Sequence, residues 1–178
     1  RWTKRETRPD SATLGFENGW YAGGRRVMKE TVEIRTAPAQ AGKRVLDFVL
    51  RFEPTGAPVE IAGTPDDNKG FGGFTIRSAP RDGGPKATVI RTEKGVAVKD
   101  GVNEPHQWAQ VEGRFNGKPG SFRIDEDASN PGFPNNGWLL RHGFALLNVS
   151  YPGLKRVTLK RGAPLVLKYR VTLSSEDR

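Results

Sequence analysis

Apolar and polar residues alternate one by one along much of this chain. Val45–Phe52 places Leu46, Phe48, Leu50 and Phe52 on one face. Pro164–Leu173 places Leu165, Leu167, Tyr169, Val171 and Leu173 on one face, with Lys168, Arg170 and Thr172 opposite. A period of two is the signature of a half-buried antiparallel strand. Weaker versions run through Thr13–Trp20, Val27–Arg35, Val59–Ala62, Phe74–Ser78, Thr88–Arg91, Val96–Lys99, Trp108–Phe115, Ser121–Asp125, Phe144–Val149 and Arg156–Lys160. Turn signals fall between them at Glu17-Asn18-Gly19, Arg81–Gly84 and Asn116-Gly117, the last being the clearest two-residue hairpin. No segment keeps a helical apolar period over three turns, and only Leu139–Leu147 is ambiguous. The pattern predicts an all-β chain, an antiparallel β-sandwich of about a dozen short strands forming a single domain over residues 1–178. The charge-rich first dozen residues are expected to be ordered only if they pair as an edge strand.

Composition sharpens this reading. The 22 glycines and 13 prolines are spread along the chain, as short strands with frequent turns require. There is no apolar run of about 18 residues, so no membrane-spanning helix is expected. With no cysteine, disulfides, thiolate metal sites and cysteine nucleophiles are excluded, which agrees with export to a secreted or periplasmic location. The chain starts at Arg1, without a methionine, which suggests processing or trimming. The net charge of +9 is spread evenly over both halves. Nucleic acid is therefore not expected as a partner, and an acidic polysaccharide is the better match.

Candidate chemistry concentrates in two stretches. Asn130–Gly153 is rich in proline, glycine and asparagine and delivers Trp138, Arg141 and His142 within five residues. Lys69–Arg77 (KGFGGFTIR) has neither a P-loop ending nor a dinucleotide fingerprint, so its glycines imply a close approach of backbone or ligand. The two histidines, His106 and His142, lack metal-binding spacing, and Asp125-Glu126-Asp127 departs from a calcium loop. No metal and no cofactor is expected. Trp20, Tyr21, Trp108, Trp138 and Tyr151 are the candidate sugar-stacking rings, with Trp138 beside Arg141 the first choice.

The order of these motifs resembles that of bacterial secreted proteins labelled as the PmoA family, or methane oxygenase PmoA. The matching positions are Gly72, Gly73 and Arg77, then Trp108, Gly113 and Gly117, then Asn130, Pro131, Pro134, Trp138, Arg141 and Gly143. The resemblance implies an exported bacterial β-sandwich acting on carbohydrate. Members of that family are longer, so the resemblance implies that this chain is the C-terminal part of a larger domain by trimming, is paired with a second polypeptide supplying the N-terminal half, or is a binding remnant. The copper-oxygenase chemistry in the label does not fit a chain with two histidines and no cysteine. The expected function is carbohydrate binding or processing, with a hydrolase- or lyase-type reaction if it is an enzyme. The alternative is a non-catalytic binding or structural half of a larger assembly. In the expected site, Arg77 and Arg141 orient an acidic saccharide, Trp138 stacks on it, and His106 or His142 acts as acid–base group.

Overall fold

The computed structural model describes residues 1–79, 81–134 and 137–175. In chain order the strands are β1 (Trp2–Arg8), β2 (Ser11–Ala22), β3 (Arg25–Thr36), β4 (Lys43–Pro54), β5 (Val59–Ile61), β6 (Phe74–Arg77), β7 (Val89–Thr92) and β8 (Gly95–Ala97). They continue with β9 (Gly101–Glu104), β10 (Trp108–Phe115), β11 (Lys118–Glu126), β12 (Trp138–Arg141), β13 (Leu146–Val149), β14 (Val157–Leu159) and β15 (Leu165–Ser175). Every pairing among them is antiparallel. Among the described residues, no helix is long and apolar enough to cross a membrane.

The strands build two unequal layers and a ribbon. The large sheet has nine strands in the order β1-β2-β3-β4-β15-β11-β10-β7-β8, and the small one has four, β6-β13-β12-β9. The ribbon pairs β14 with β5. Leu46, Phe48, Leu50 and Phe52 of β4 and Leu165, Leu167, Tyr169 and Val171 of β15 all turn to the core, as the alternation requires. They meet Trp138, Leu140, Leu147 and Val149 of the small sheet, and Phe74 stacks on Tyr169 with ring centroids 4.6 Å apart. The expected hairpin at Asn116-Gly117 is present. Phe115 pairs with Lys118, and both turn residues have positive φ (52° and 77°), as a tight primed turn demands.

One expected turn is displaced, and two open points of the sequence reading are settled. The turn expected at Glu17–Gly19 is absent, because β2 runs straight through it in register with β3, and the reversal falls at Gly23-Gly24. Gly19 is there because the Tyr21 ring lies over it; a Cβ would meet that ring at 2.8 Å. The N-terminal residues form the edge strand β1, so they are ordered by pairing with β2. Leu139–Leu147 resolves into β12, a tight turn and β13. Asn135 and Asn136, within the Asn130–Gly153 segment, lie outside the described residues.

Candidate functional site

Arg77, Leu146 and Arg141 stand side by side across β6, β13 and β12, which places both arginines on the outer face of the small sheet. Arg77 is exposed, and its guanidinium lies 4.8 Å from the centroid of the Phe144 ring. Arg141 lies 3.5 Å from Asp100. His142 follows at the turn, where its backbone N–H donates to Asp100 at 2.8 Å. Its Nδ1 is 3.0 Å from the same carboxylate, and its Nε2 is 3.0 Å from the Ala97 carbonyl oxygen. Both ring nitrogens thus face acceptor oxygens of the protein, and the imidazole is bound into the turn. Arg77 and Arg141 thus share the outer face of the small sheet with Leu146 between them, while the His142 ring turns to Asp100 and Ala97.

Trp138 and His106 do not join them. Trp138 is 0% exposed and packs between the sheets, on the face opposite Arg141, so it offers no stacking surface to a ligand. In a fully apolar Trp-Leu-Leu run nothing marks which residue turns inward. His106 is 2% exposed, edge-on to Trp138 at 6.2 Å, and its ring nitrogens lie 3.4 Å from Glu93 and 3.4 Å from Glu104. It is buried beside the start of β12, whereas Arg141 lies at the end of that strand. The five expected residues do not line one surface.

Partial burial of Asp100 pushes its carboxyl up, but hydrogen bonds from the His142 N–H, the His142 ring and Arg141 outweigh this. The net effect holds it below the ordinary carboxylate value. A depressed folded-state value contributes stability above the unfolded-state value that is lost as pH falls through the folded one. The thermal midpoint of the wild type is therefore expected to drop more steeply below about pH 4 than that of Asp100→Asn. Melting curves across the acid range check this, and parallel profiles would contradict it.

The glycines of Lys69–Arg77 serve backbone packing. A Cβ on Gly73 would lie 2.4 Å from the Val149 carbonyl oxygen, and one on Gly70 would lie 2.8 Å from the Leu154 nitrogen. Asp125, Glu126 and Asp127 alternate across the sheet: Asp125 pairs with Arg123, and Asp127 accepts from the Ser129 N–H. No group of three or more His, Cys, Asp or Glu residues among the described ones could hold a metal ion.

Two further features emerge. First, the small sheet does not reach β1 and β2, so the inward-facing residues of those strands are uncovered. Trp2 is 54% exposed and Trp20 is 42% exposed on the same face, with Phe16 opposite Trp2 and Leu14 beyond it along β2. Trp20 is fixed at both ends. Its Nε1 donates to Glu30 at 3.0 Å, its ring meets Phe52 edge-on at 5.8 Å, and Asn18 donates to the same Glu30 oxygen at 3.2 Å. At about 3.4 Å per residue, the two indole rows lie roughly 14 Å apart along β2. Second, a cleft of about 400 Å³ opens between Pro131-Gly132 and the Tyr151–Lys155 turn. The Asn130–Gly153 segment thus does line a cavity, through Tyr151 and the prolines and not through Trp138.

These features define an antiparallel two-layer β protein with one face of its larger sheet left partly open. A family model described as a family of unknown function, DUF6807, matches residues 1–178, and the chain belongs to that family. No curated protein matches it. Among solved structures, it is similar to a GalM/aldose epimerase homologue from C. elegans, at 9% identity and a TM-score of 0.43, over 99% of this chain and 69% of the other. It is also similar to a galactose mutarotase-like protein from Lactobacillus casei, at 12% identity and a TM-score of 0.42, over 97% of this chain and 72% of the other. At that level neither likeness carries a functional argument.

Proposed function

We propose that this protein is an exported saccharide-binding β-sandwich that holds its ligand on the open strip of the large sheet. The observation that carries the reading is the pair of exposed indoles, Trp2 and Trp20, on one sheet face, the second locked in place by Glu30 and Phe52. Aromatic rings held rigid offer broad apolar contact to a sugar face at little entropic cost. The Glu30 carboxylate and the Asn18 side-chain oxygen beside Trp20 supply acceptors for sugar hydroxyls. Export draws support from the cysteine-free composition and from the motif order that resembles the secreted PmoA-labelled proteins. The role is binding, and no reaction is assigned.

Calorimetric titration against a panel of soluble oligosaccharides tests this. Trp20→Ala and Trp2→Ala are each expected to weaken binding by about 1 kcal/mol, roughly five-fold, measured at a temperature where melting curves show both variants fully folded. Absence of binding across the panel, or tight binding indifferent to both substitutions, would sink the proposal.

The same strip favours one other reading, that a second polypeptide covers Trp2, Leu14, Phe16 and Trp20. On that reading the panel is silent, and the strip is protected only in a larger assembly.

A further inference from the structure

The cleft beside the ribbon is a separate piece of chemistry. Its walls are Tyr151, Pro152, Leu154 and Val157 on one side and Pro131 with Gly132 on the other, and they are mostly apolar. The one charged residue of the lining is Lys155, which has no ion-pair partner among the described residues. No carboxylate lines the cleft among those residues. Lys155 also opens a basic run: Arg156, Lys160 and Arg161 follow within the same short stretch around β14. Against them the ribbon sets only Glu60 of β5, which pairs with Arg156. On the ribbon side the basic residues outnumber the single carboxylate, which favours an anion there.

The wall is also preformed. The Gly63 N–H donates to the Gly153 carbonyl at 2.7 Å, and a Cβ on Gly70 would strike Gly153 and Leu154 backbone within 3 Å. Backbone packed this closely cannot relax away from a ligand. Burial pushes the Tyr151 phenol up, which keeps it a neutral hydrogen-bond donor at ordinary pH.

We propose that this cleft is an anionic subsite. It takes one carboxylate-bearing sugar ring, with Tyr151 and the prolines against the apolar body and Lys155 pairing with the carboxylate. A single ammonium in an apolar lining suits a singly charged carboxylate. A phosphate or sulfate ester would call for several converging donors. The volume accommodates one ring with room for its linkages. The nature of the ring rests on the saccharide reading above; the charge preference rests on the cleft alone.

Three probes separate the two. Galacturonate oligomers, neutral galactose oligomers and cyclohexanecarboxylate are titrated into the wild type, Lys155→Glu and Trp20→Ala by calorimetry. Lys155 is exposed, so its substitution is expected to leave the melting midpoint unchanged. Lys155→Glu should weaken the galacturonate oligomers roughly ten-fold and leave the neutral ones within about two-fold, and added salt should erode only the former. A loss of less than two-fold with galacturonate, or an equal loss with the neutral oligomers, overturns the anionic subsite. If cyclohexanecarboxylate binds in a Lys155-dependent way while no oligosaccharide binds, the charge preference stands and the saccharide reading falls. If neutral oligomers bind through Trp20 and no carboxylate depends on Lys155, the subsite alone falls.

Discussion

Asn148→Ala is expected to cost about 3 kcal/mol of unfolding free energy or more, as large an effect as one side chain of this size produces. Asn148 sits on β13 with no exposed surface. Its side-chain amide donates to the Gly72 carbonyl at 2.6 Å and to the Thr75 hydroxyl at 2.7 Å, with the Phe74 carbonyl at 3.2 Å. Its oxygen accepts from the Ser150 hydroxyl. The amide N–H groups thus tie β13 to Gly72 and Thr75 at the start of β6, while the side-chain oxygen braces Ser150 just beyond β13. Alanine leaves the fully buried Ser150 hydroxyl unpaired and removes the donors that hold the half-buried Gly72 carbonyl and the exposed Thr75 hydroxyl, so the lost tie and the stranded Ser150 together make up the cost. Urea unfolding measures it. A cost below about 1 kcal/mol would mean that the segment finds other partners, and that Asn148 is not the tie it looks to be.

Gly73→Ala should be of similar size for a different reason. The backbone at Gly73 has φ of 72°, where an L residue pays about 1–2 kcal/mol. In addition the new methyl would lie 2.4 Å from the Val149 carbonyl oxygen and 2.7 Å from the Tyr151 nitrogen. Those are backbone atoms, so no side chain can swing aside, and β6 must shift from β13. Gly24 is the matched control, with φ of 74° and open space around the position of a Cβ. Gly24→Ala should show the conformational cost alone, and Gly73→Ala should exceed it by at least about 1 kcal/mol. Equal losses in urea titrations would show that the close approach carries no energy.

Both sites lie in stretches that the sequence singled out, and their roles show what a pattern reveals. The alternation in β4, β10 and β15 makes the middle of the large sheet legible, because each of these strands buries one face and the period of two survives. The glycines of Lys69–Arg77 announced a close approach, and the approaching group is backbone. Strands β9 and β12 stayed hidden for opposite reasons. Gly101–Glu104 is too short and polar to show a period, while Trp138–Leu140 is buried on both faces and has none. That second case also explains Trp138: when every neighbour is apolar, the sequence does not say which ring turns toward water.

The open strip was harder still to read. Trp20 stood among the candidate rings, but its exposure depends on the small sheet stopping short of β2. Sheet width is a tertiary quantity, set by how many strands pair on each layer, and no local pattern around Trp20 encodes it. The role of Asp100 in holding Arg141 and His142 is not legible in the sequence, since a lone aspartate in Val98–Gly101 carries no motif.

The anchoring of Asn130 has a mechanical meaning for the cleft. β11 stops at Glu126, yet the next rung of its ladder with β15 is still filled. The Asn130 side chain donates to the Lys168 carbonyl at 2.9 Å and accepts from the Lys168 N–H at 2.8 Å. With the Asp127 N–H donating to the same carbonyl at 3.2 Å, the Asn130 amide fastens the Pro131–Gly132 wall to the sheet across the short turn after β11. The wall's position is thereby inherited from β15, a central strand of the large sheet.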